Sequence, residues 1–369
     1  MVSFEMDDEQ KMVKETVASF AVDQIEPVMR ESDEEITVPE EIVGKGWELG
    51  LVGGSIPEEY EGFGEGLSAL TGVIALEEMA WGDLSISMHM MAPTMLAYSI
   101  LDQGSEEQKK QFLPAYCEEE FKAASCALVE PYFNFCPSAL KTMAERDGDE
   151  YVLNGKKSLV PLAQEADNML VFAVTSQGMG FSGVDAFIIP SGTKDMEVGE
   201  REKNMGIKAL ATYPVTFKNC RVPATSRLGG DEGSDFLRLL SRSRLALASL
   251  AVGMSRHAME HSRDYAVERV AFGEPIGSRQ AIAFMIAEMA IEVDATRMLI
   301  WEAAWKCDKD MDFAKDAALA KNYASDMAMM VCDRGVQVMG GHGYIRENPV
   351  ELWFRNARGF ATFEGFVMV

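Results

Sequence analysis

The chain is poor in cations: 34 Lys and Arg stand against 59 Asp and Glu, a formal net charge of −25 over 369 residues. That excess of one sign repels nucleic acid and anionic membrane surfaces, so no nucleic-acid partner is expected. The six cysteines, at 117, 126, 136, 220, 307 and 332, contain no CxxC pair. Neither a zinc site nor a disulfide framework is indicated, and the thiols read as buried or reduced. No stretch reaches the roughly 18 uninterrupted apolar residues a membrane span requires. The opening MVSFEMDDEQKM is acidic where a signal peptide would be basic, so a soluble, cytoplasmic protein is the expectation. Internal repeats and low-complexity segments are missing as well. Histidines number only four, and His257 and His261, at i, i+4 in HAMEHSRDY, have no third ligand nearby, so no metal is expected.

What is present is core-forming residue: 47% of the chain is hydrophobic, enough for two or three domains. From residue 5 to about 122 the pattern is helical. DEQKMVKETVASFAVDQIEPVM sets Met12, Val13, Val17, Phe20, Ala21 and Ile25 on one stripe that Pro27 disturbs. A Gly-rich run at 52–66 breaks the helices, and more follow at 67–80, 84–103 and 106–117. Between 123 and 227 the period shortens in AASCALVE, YVLNG, NMLVFAV, VDAFIIP and PVTFKN, which reads as a β domain. Long helical segments return at 232–270, 278–308 and 312–340, long enough for an antiparallel bundle with an oligomer interface. The order is α domains flanking a β domain, divided at 1–122, 123–227 and 228–369.

Near the carboxy end the chain reads QVMGGHGYIRENPVELWFRNARGFATFEG from Gln337 to Gly365. Glu364 lies there between Phe363 and Gly365. A carboxylate in apolar surroundings loses hydration, which suits a general base near neutral pH. The alternative is a solvated side chain near a frayed end.

This segment resembles the end of the acyl-CoA dehydrogenase family, in which a QxxGGxGY run leads through PVExxxRDA to a YEG turn carrying the catalytic base. Here the elements are Gln337, Gly340, Gly341, Gly343 and Tyr344, then Pro349, Val350, Glu351 and Arg355, then Phe363, Glu364 and Gly365. LGLVGGSIPEEYEGFG (49–64), YVLNGKK (151–157), NMGIKALAT (204–212), FKNCRVPA (217–224) and ERVAFGEPIGSRQAI (268–282) extend the similarity in order over nearly the whole chain.

The resemblance implies an α+β fold: an N-terminal helical domain, a middle β domain and a C-terminal four-helix-bundle domain carrying the base and the oligomer interface. It implies removal of the proton next to an acyl-CoA thioester carbonyl by Glu364, with hydride delivered to FAD. Arg244 falls at a substrate-contacting position. Arg269, Phe272 and Gln280 would meet the adenosine-pyrophosphate end of FAD, with Gln337, Gly340 and Gly341 reaching it from a neighbouring subunit. Glycines there permit close backbone approach, and arginine neutralises phosphate charge. An electron-transfer flavoprotein is the implied redox partner. The methionines of Met88, His89, Met90, Met91 and Met95 read as core packing, with an acyl pocket as the alternative.

The sequence departs from the family at the flavin-ring wall. Val129-Glu130-Pro131 stands where the family has Thr-Glu-Pro, Tyr132-Phe133-Asn134-Phe135-Cys136 where it has a Gly-rich loop, and Leu159-Val160-Pro161 where it has Trp-Ile-Thr or Trp-Ile-Ser. Pro161 has no N–H to offer, and Leu159 gives no aromatic stack. Tyr132, Phe133 and Phe135 are expected to fill the ring's space or to shape a pocket for a ring-bearing or branched acyl chain. Phe366 replaces the Thr that follows EG, and the family's closing helix is expected to be absent. Three readings follow: a subunit of a heteromeric dehydrogenase, a two-plus-two heterotetramer; a non-redox isomerase, lyase or hydratase using Glu364; or an ordinary FAD-dependent dehydrogenase, homotetramer included.

Overall fold

The first helix shows how local sequence begins the fold. Asp7 accepts from Gln10 N at 2.8 Å while the Gln10 side chain accepts from Asp7 N at 3.1 Å, a reciprocal cap that starts α1 (Asp8–Phe20). The computed structural model describes residues 4–369. Val17, Phe20, Ala21 and Ile25 are buried as the stripe requires, but Met12 is 62% exposed. At about 100° per residue Met12 points roughly 140° away from Val17, so it falls off the stripe. A π-turn at Ala21–Ile25 and a 3-10 turn at Glu26–Val28, which takes in Pro27, then end the regular helix.

The N-terminal domain continues through α2 (Met29–Glu35), α3 (Glu40–Glu48), α4 (Ala69–Gly82), α5 (Leu84–Met91), α6 (Pro93–Gln103) and α7 (Glu106–Phe112). The single helix expected over 84–103 is two, bent by 43° where Pro93 lacks the N–H that would continue the ladder. Met88, Met90, Met91 and Met95 are buried in this domain's core.

The middle domain is a mixed sheet of β1 (Ala124–Ala127), β2 (Met143–Asp147), β3 (Glu150–Pro161), β4 (Asn168–Val174), β5 (Val184–Pro190), β6 (Met196–Val198) and β7 (Thr212–Pro223). Its order is β1-β4-β2-β3-β7-β6, with β5 paired to β4. β3 and β7 form its long antiparallel spine, paired from Glu150 opposite Pro223 to Pro161 opposite Thr212 with register shifts between Leu153 and Gly155 and between Lys157 and Val160. β2 and β6 escaped the sequence reading because Glu145, Arg146 and Asp147 are exposed and β6 has three residues, so neither alternates visibly.

The C-terminal domain has α8 (Phe236–Glu268), a hairpin of β8 (Val270–Ala271) and β9 (Glu274–Pro275), α9 (Gln280–Asp308), α10 (Ala314–Met339), α11 (Gly341–Tyr344) and α12 (Val350–Phe360). α8, α9 and α10 pack on one another, with α12 against α10 and α8 and with α4 running along α8 and α9. The α4–α8 approach needs Gly253, since a Cβ there would meet Glu77 O at 2.1 Å.

One ion cluster ties the three domains where it matters for the site. Asp33 of α2 takes Arg355 of α12 at 2.8 Å and Lys208 of the middle domain at 3.0 Å, and Arg355 also holds Glu351, which holds Arg30. Burial pushes the Asp33 carboxyl up, but Arg355 and Lys208 outweigh it and keep it below the usual carboxylate range. Ile207 N donates to Asn356 Oδ1 at 2.6 Å. α12 is thereby fixed between the other two domains, and the turn after it delivers Glu364 to their junction.

Candidate active site

Two phenylalanines hold the turn that carries Glu364. Phe363 and Phe366 are buried and meet edge to face at 4.5 Å, so the residue between them and the glycine projects outward from an apolar anchor. Gly365 supplies the turn with φ of 70°.

The Glu364 carboxylate is met by Arg244 of α8. Nε lies 3.2 Å from Oε2 and Nη2 lies 3.4 Å from Oε1, a forked contact between side chains 15% and 19% exposed. The purely apolar setting expected for Glu364 is therefore corrected: a guanidinium faces it. Nor is the side chain solvated at a frayed end. Lys321 of α10, which the sequence reading did not single out, lies near both charges. Its signal was available, since AALAKNYAS puts Lys321 on a stripe with Ala317, Ala320, Ala324 and Ala328, all buried.

Arg269, Gly340 and Gly341 come together in a groove of about 450 Å³ that also includes Tyr265 and His342. Phe272 is 96% exposed at the tip of the β8–β9 hairpin, and Gln280 and Gln337 are exposed at the start of α9 and the end of α10. The antiparallel run of α8, α9 and α10 puts all six at one end of the bundle of one chain. Arg244 and Arg269 sit 25 residues apart on and just beyond one helix, about 37 Å at 1.5 Å per residue. The groove and the Glu364 site of a single chain are thus separate places.

The backbone N–H groups along the β-domain wall at residues 158, 159 and 162 are bonded within the chain. Ser158 N donates to Val129 O at 2.9 Å, Leu159 N to the Glu202 carboxylate at 3.0 Å, and Leu162 N to Ala211 O at 3.0 Å. Pro161 has no N–H, and its carbonyl accepts from Ser125 Oγ. Behind this wall Glu130 accepts from Lys141 N at 2.7 Å, Thr142 N at 2.8 Å and the fully buried Lys157 at 3.1 Å. Burial lowers Lys157 to about 8 against the pull of Glu130. The expected aromatic plug is corrected: Phe133 is fully exposed, Tyr132 lies under the Lys141 ammonium at 3.9 Å, and only Phe135 packs in part against the core.

Elsewhere, His257 stacks on Trp81 at 3.9 Å, with Nδ1 at 2.6 Å from Trp81 O and Nε2 3.5 Å from Glu26, so the histidine pair is built into an aromatic packing layer. Among the described residues no group of acids, histidines and cysteines is placed to hold a metal. The six cysteines are free, four of them buried, Cys117 partly so and Cys136 exposed. A cavity of about 940 Å³ beside α7 and the 229–233 loop includes none of the residues named for the site. No single helix is long and apolar enough to cross a membrane.

Helices, sheet and helical bundle in this order, with a carboxylate carried to their junction by the turn after the last helix, define a class of three-domain helix–sheet–helix proteins. The chain belongs to the acyl-CoA dehydrogenase family: it matches the acyl-CoA dehydrogenase N-terminal domain over residues 7–120, the middle domain over 125–220 and the C-terminal domain over 234–366. It is 35% identical over 368 residues to the mitochondrial short-chain specific acyl-CoA dehydrogenase of Sus scrofa, covering 98% of this chain and 88% of the relative. Its fold is similar to butyryl-CoA dehydrogenase from Megasphaera elsdenii, with a TM-score of 0.88, 32% identity and coverage of 98% and 95%. A chain in a structure described as the electron transferring flavoprotein of Acidaminococcus fermentans has a TM-score of 0.88, 34% identity and coverage of 97% and 94%.

Proposed function

We propose that this chain acts at the α,β-carbons of an acyl-CoA thioester, with Glu364 as the base and Arg244 orienting it, as one subunit of a heteromeric acyl-CoA dehydrogenase. The domain division we propose with it is 1–122, 123–227 and 228–369. The observation that carries the reading is an asymmetry. Glu364 is held by Arg244 at 3.2 Å at the junction of the domains, while the wall beside it has its N–H groups at 158, 159 and 162 already bonded and a proline at 161.

FAD is the cofactor the family membership brings, and it supplies hydride acceptance when bound. The residues here fit only its adenosine-pyrophosphate end. The groove of Arg269, Gly340 and Gly341 has a cation for phosphate and glycine backbone for close approach. The ring wall does not fit, since a heterocycle bound there would leave its polar atoms without donors. The groove lies about 37 Å along α8 from Arg244, so it serves a ring held by a neighbouring subunit. A related acyl-CoA dehydrogenase subunit is the partner this implies, with an electron-transfer flavoprotein as the redox partner of the pair.

For this chain's own residues the chemistry is a proton transfer. The thioester carbonyl acidifies the α-carbon, the C–H bond breaks, and the proton moves to a carboxylate oxygen of Glu364 while its electron pair enters the enolate. The second half of the oxidation requires a ring wall that this chain does not offer. That favours one alternative, a non-redox isomerase, lyase or hydratase working by the same proton transfer.

Co-purification from the native source with an absorbance spectrum tests the main reading. A related subunit in equal amount is the expected result; a lone homotetramer, yellow and fully active as a dehydrogenase, overturns it. Deuterium exchange at the α-carbon of acyl-CoAs tests the base, and equal exchange by wild type and Glu364→Gln removes it.

A further inference from the structure

The histidine at the centre of the aromatic layer has two polar neighbours, and both can only accept. His257 is buried on α8, with Nδ1 2.6 Å from the carbonyl oxygen of Trp81 and Nε2 3.5 Å from the Glu26 carboxylate. A neutral imidazole carries one N–H, so it can serve only one of them. With Nδ1 donating to Trp81, a neutral ring would turn the lone pair of Nε2 toward an anion. The imidazolium, with an N–H on each nitrogen, suits both.

The rings around it suit the same charge. His257 stacks on the Trp81 indole with centroids 3.9 Å apart and planes 8° apart, and the Trp353 indole lies 4.5 Å away at 48°. A cation over a tryptophan face is attracted by the ring quadrupole, and here one imidazole reaches two such rings. Glu26 answers as a carboxylate beside a cation does: the hydrogen bond from His257, outweighing burial, holds its carboxyl below the usual range. Other charges on the elements packed here are already paired. Arg256 of α8 is taken by Glu77 and Glu78 of α4, Arg263 by Asp264, Arg334 of α10 by Glu288 of α9, and Glu351 and Arg355 of α12 by Arg30 and Asp33. Glu260 accepts from the Trp81 indole N–H at 2.7 Å. His261, one turn on, is kept below the usual histidine range by burial first and by the His257 charge second. Glu26 is the carboxylate left to His257.

The two tryptophans are held differently. Trp81 is tied down by Glu260, whereas the Trp353 indole N–H is buried with no partner among the described residues. Nε2 of His261, whose ring meets Trp353 at 5.5 Å, is also buried without one. Trp353 therefore meets the layer through ring contacts and no side-chain hydrogen bond. It is 1% exposed and lies on α12 about two turns before Phe360, after which comes the turn that carries Glu364. We infer that His257 is a proton-operated clasp, which with its proton on joins Glu26, Trp81 and Trp353, and with its proton off releases Glu26 and loosens its hold on α12. His257 is thus a positioning residue, acting on the Glu364 turn through α12, and it couples pH to the seating of that helix. Only its effect on α-proton exchange rests on Glu364 as base; the clasp itself does not.

The test uses the protein with any partner subunit it carries, beside His257→Phe, which keeps a ring without a charge, and His257→Arg, which keeps a charge without titrating. Glu26→Gln removes the acceptor from a half-exposed position and serves if either core variant does not fold. Amide hydrogen exchange of α12, expressed as protection relative to the intrinsic rate, is followed from about pH 5 to about pH 8, where imidazole changes charge. Protection in wild type should fall roughly threefold to tenfold as pH rises, a change of the size a cation over an aromatic face produces. It should be flat in all three variants, high in His257→Arg and low in the other two. The ratio of α-deuterium exchange on an acyl-CoA between wild type and His257→Phe should shrink toward one over the same span, since the titration of Glu364 itself cancels in the ratio. Protection that does not change with pH in wild type, or changes equally in His257→Phe and Glu26→Gln, overturns the clasp. A wild type without α-deuterium exchange but with the protection profile intact overturns Glu364 as base and leaves the clasp standing.

Discussion

Gly365 packs directly on Leu128: a Cβ built on the glycine would lie 2.6 Å from Leu128 Cδ2. The two are distant in sequence, yet this contact sets how far the Glu364 turn approaches the β domain. Leu128 also gives its carbonyl to Lys157 Nζ at 3.1 Å, so the same residue joins the turn to the buried ion pair behind the wall.

Gly365→Ala should therefore be costly in two ways, through the clash with Leu128 and through φ of 70°. A destabilisation of about 1–3 kcal/mol is expected. Denaturant unfolding measures it, and α-proton exchange should fall further than stability because the base moves.

Glu364→Gln should abolish α-proton exchange and leave the thermal midpoint close to wild type. Arg244→Met should weaken exchange by roughly tenfold to a hundredfold, since a charge-assisted contact of this kind is worth about 1.5–3 kcal/mol. Arg244→Lys should recover only part, because an ammonium does not reproduce the forked contact. Isotope exchange followed by mass spectrometry compares the three.

Glu130→Gln leaves the fully buried Lys157 without its counter-charge. Breaking a buried pair from one side costs about 3–5 kcal/mol. Chemical denaturation should show that loss, and Glu130→Gln with Lys157→Met should recover part of it.

His89 gives a pH dependence. Burial first, and the Arg201 charge second, lower it to about 4, and its Nδ1 is buried without a partner beside Phe121. Between pH 6.5 and about 4 the unfolded chain binds a proton that the folded chain refuses. The stabilisation is therefore complete above pH 6.5 and is lost as pH falls through about 4, by about 3 kcal/mol. Asp83, raised to about 6 mainly by burial, works in the opposite direction over part of this window. Unfolding of wild type and His89→Leu at matched pH separates the two: the variant should lose less stability on acidification.

Much of the fold was legible because its signals are local. Helices at 280–308 and 314–339 carry Ala, Leu and Met at helical spacing with few breakers, and β4 and β5 are mostly apolar. β2 and β6 were not, since exposed charge and shortness erase the alternation on which a strand is recognised. Glu364 and Arg244 were each named from motifs, but their pairing across 120 positions was not, and the apolar environment expected around the acid gave way to a guanidinium. Lys321 was overlooked because a lysine in a helix is usually solvated, and only packing reveals one that is not.

By itself the sequence determined the order of helical, β and helical domains, the family, and the loss of an N–H at Pro161, because periodicity, motif and residue chemistry are properties of the chain alone. Tertiary structure decided the rest. It separated the Arg269 groove from Glu364 by the length of α8, turned Phe133 out to solvent, and buried Lys321 next to the acid. Charge pairing and burial depend on distances across packed elements, and no run of residues encodes those until the elements have met.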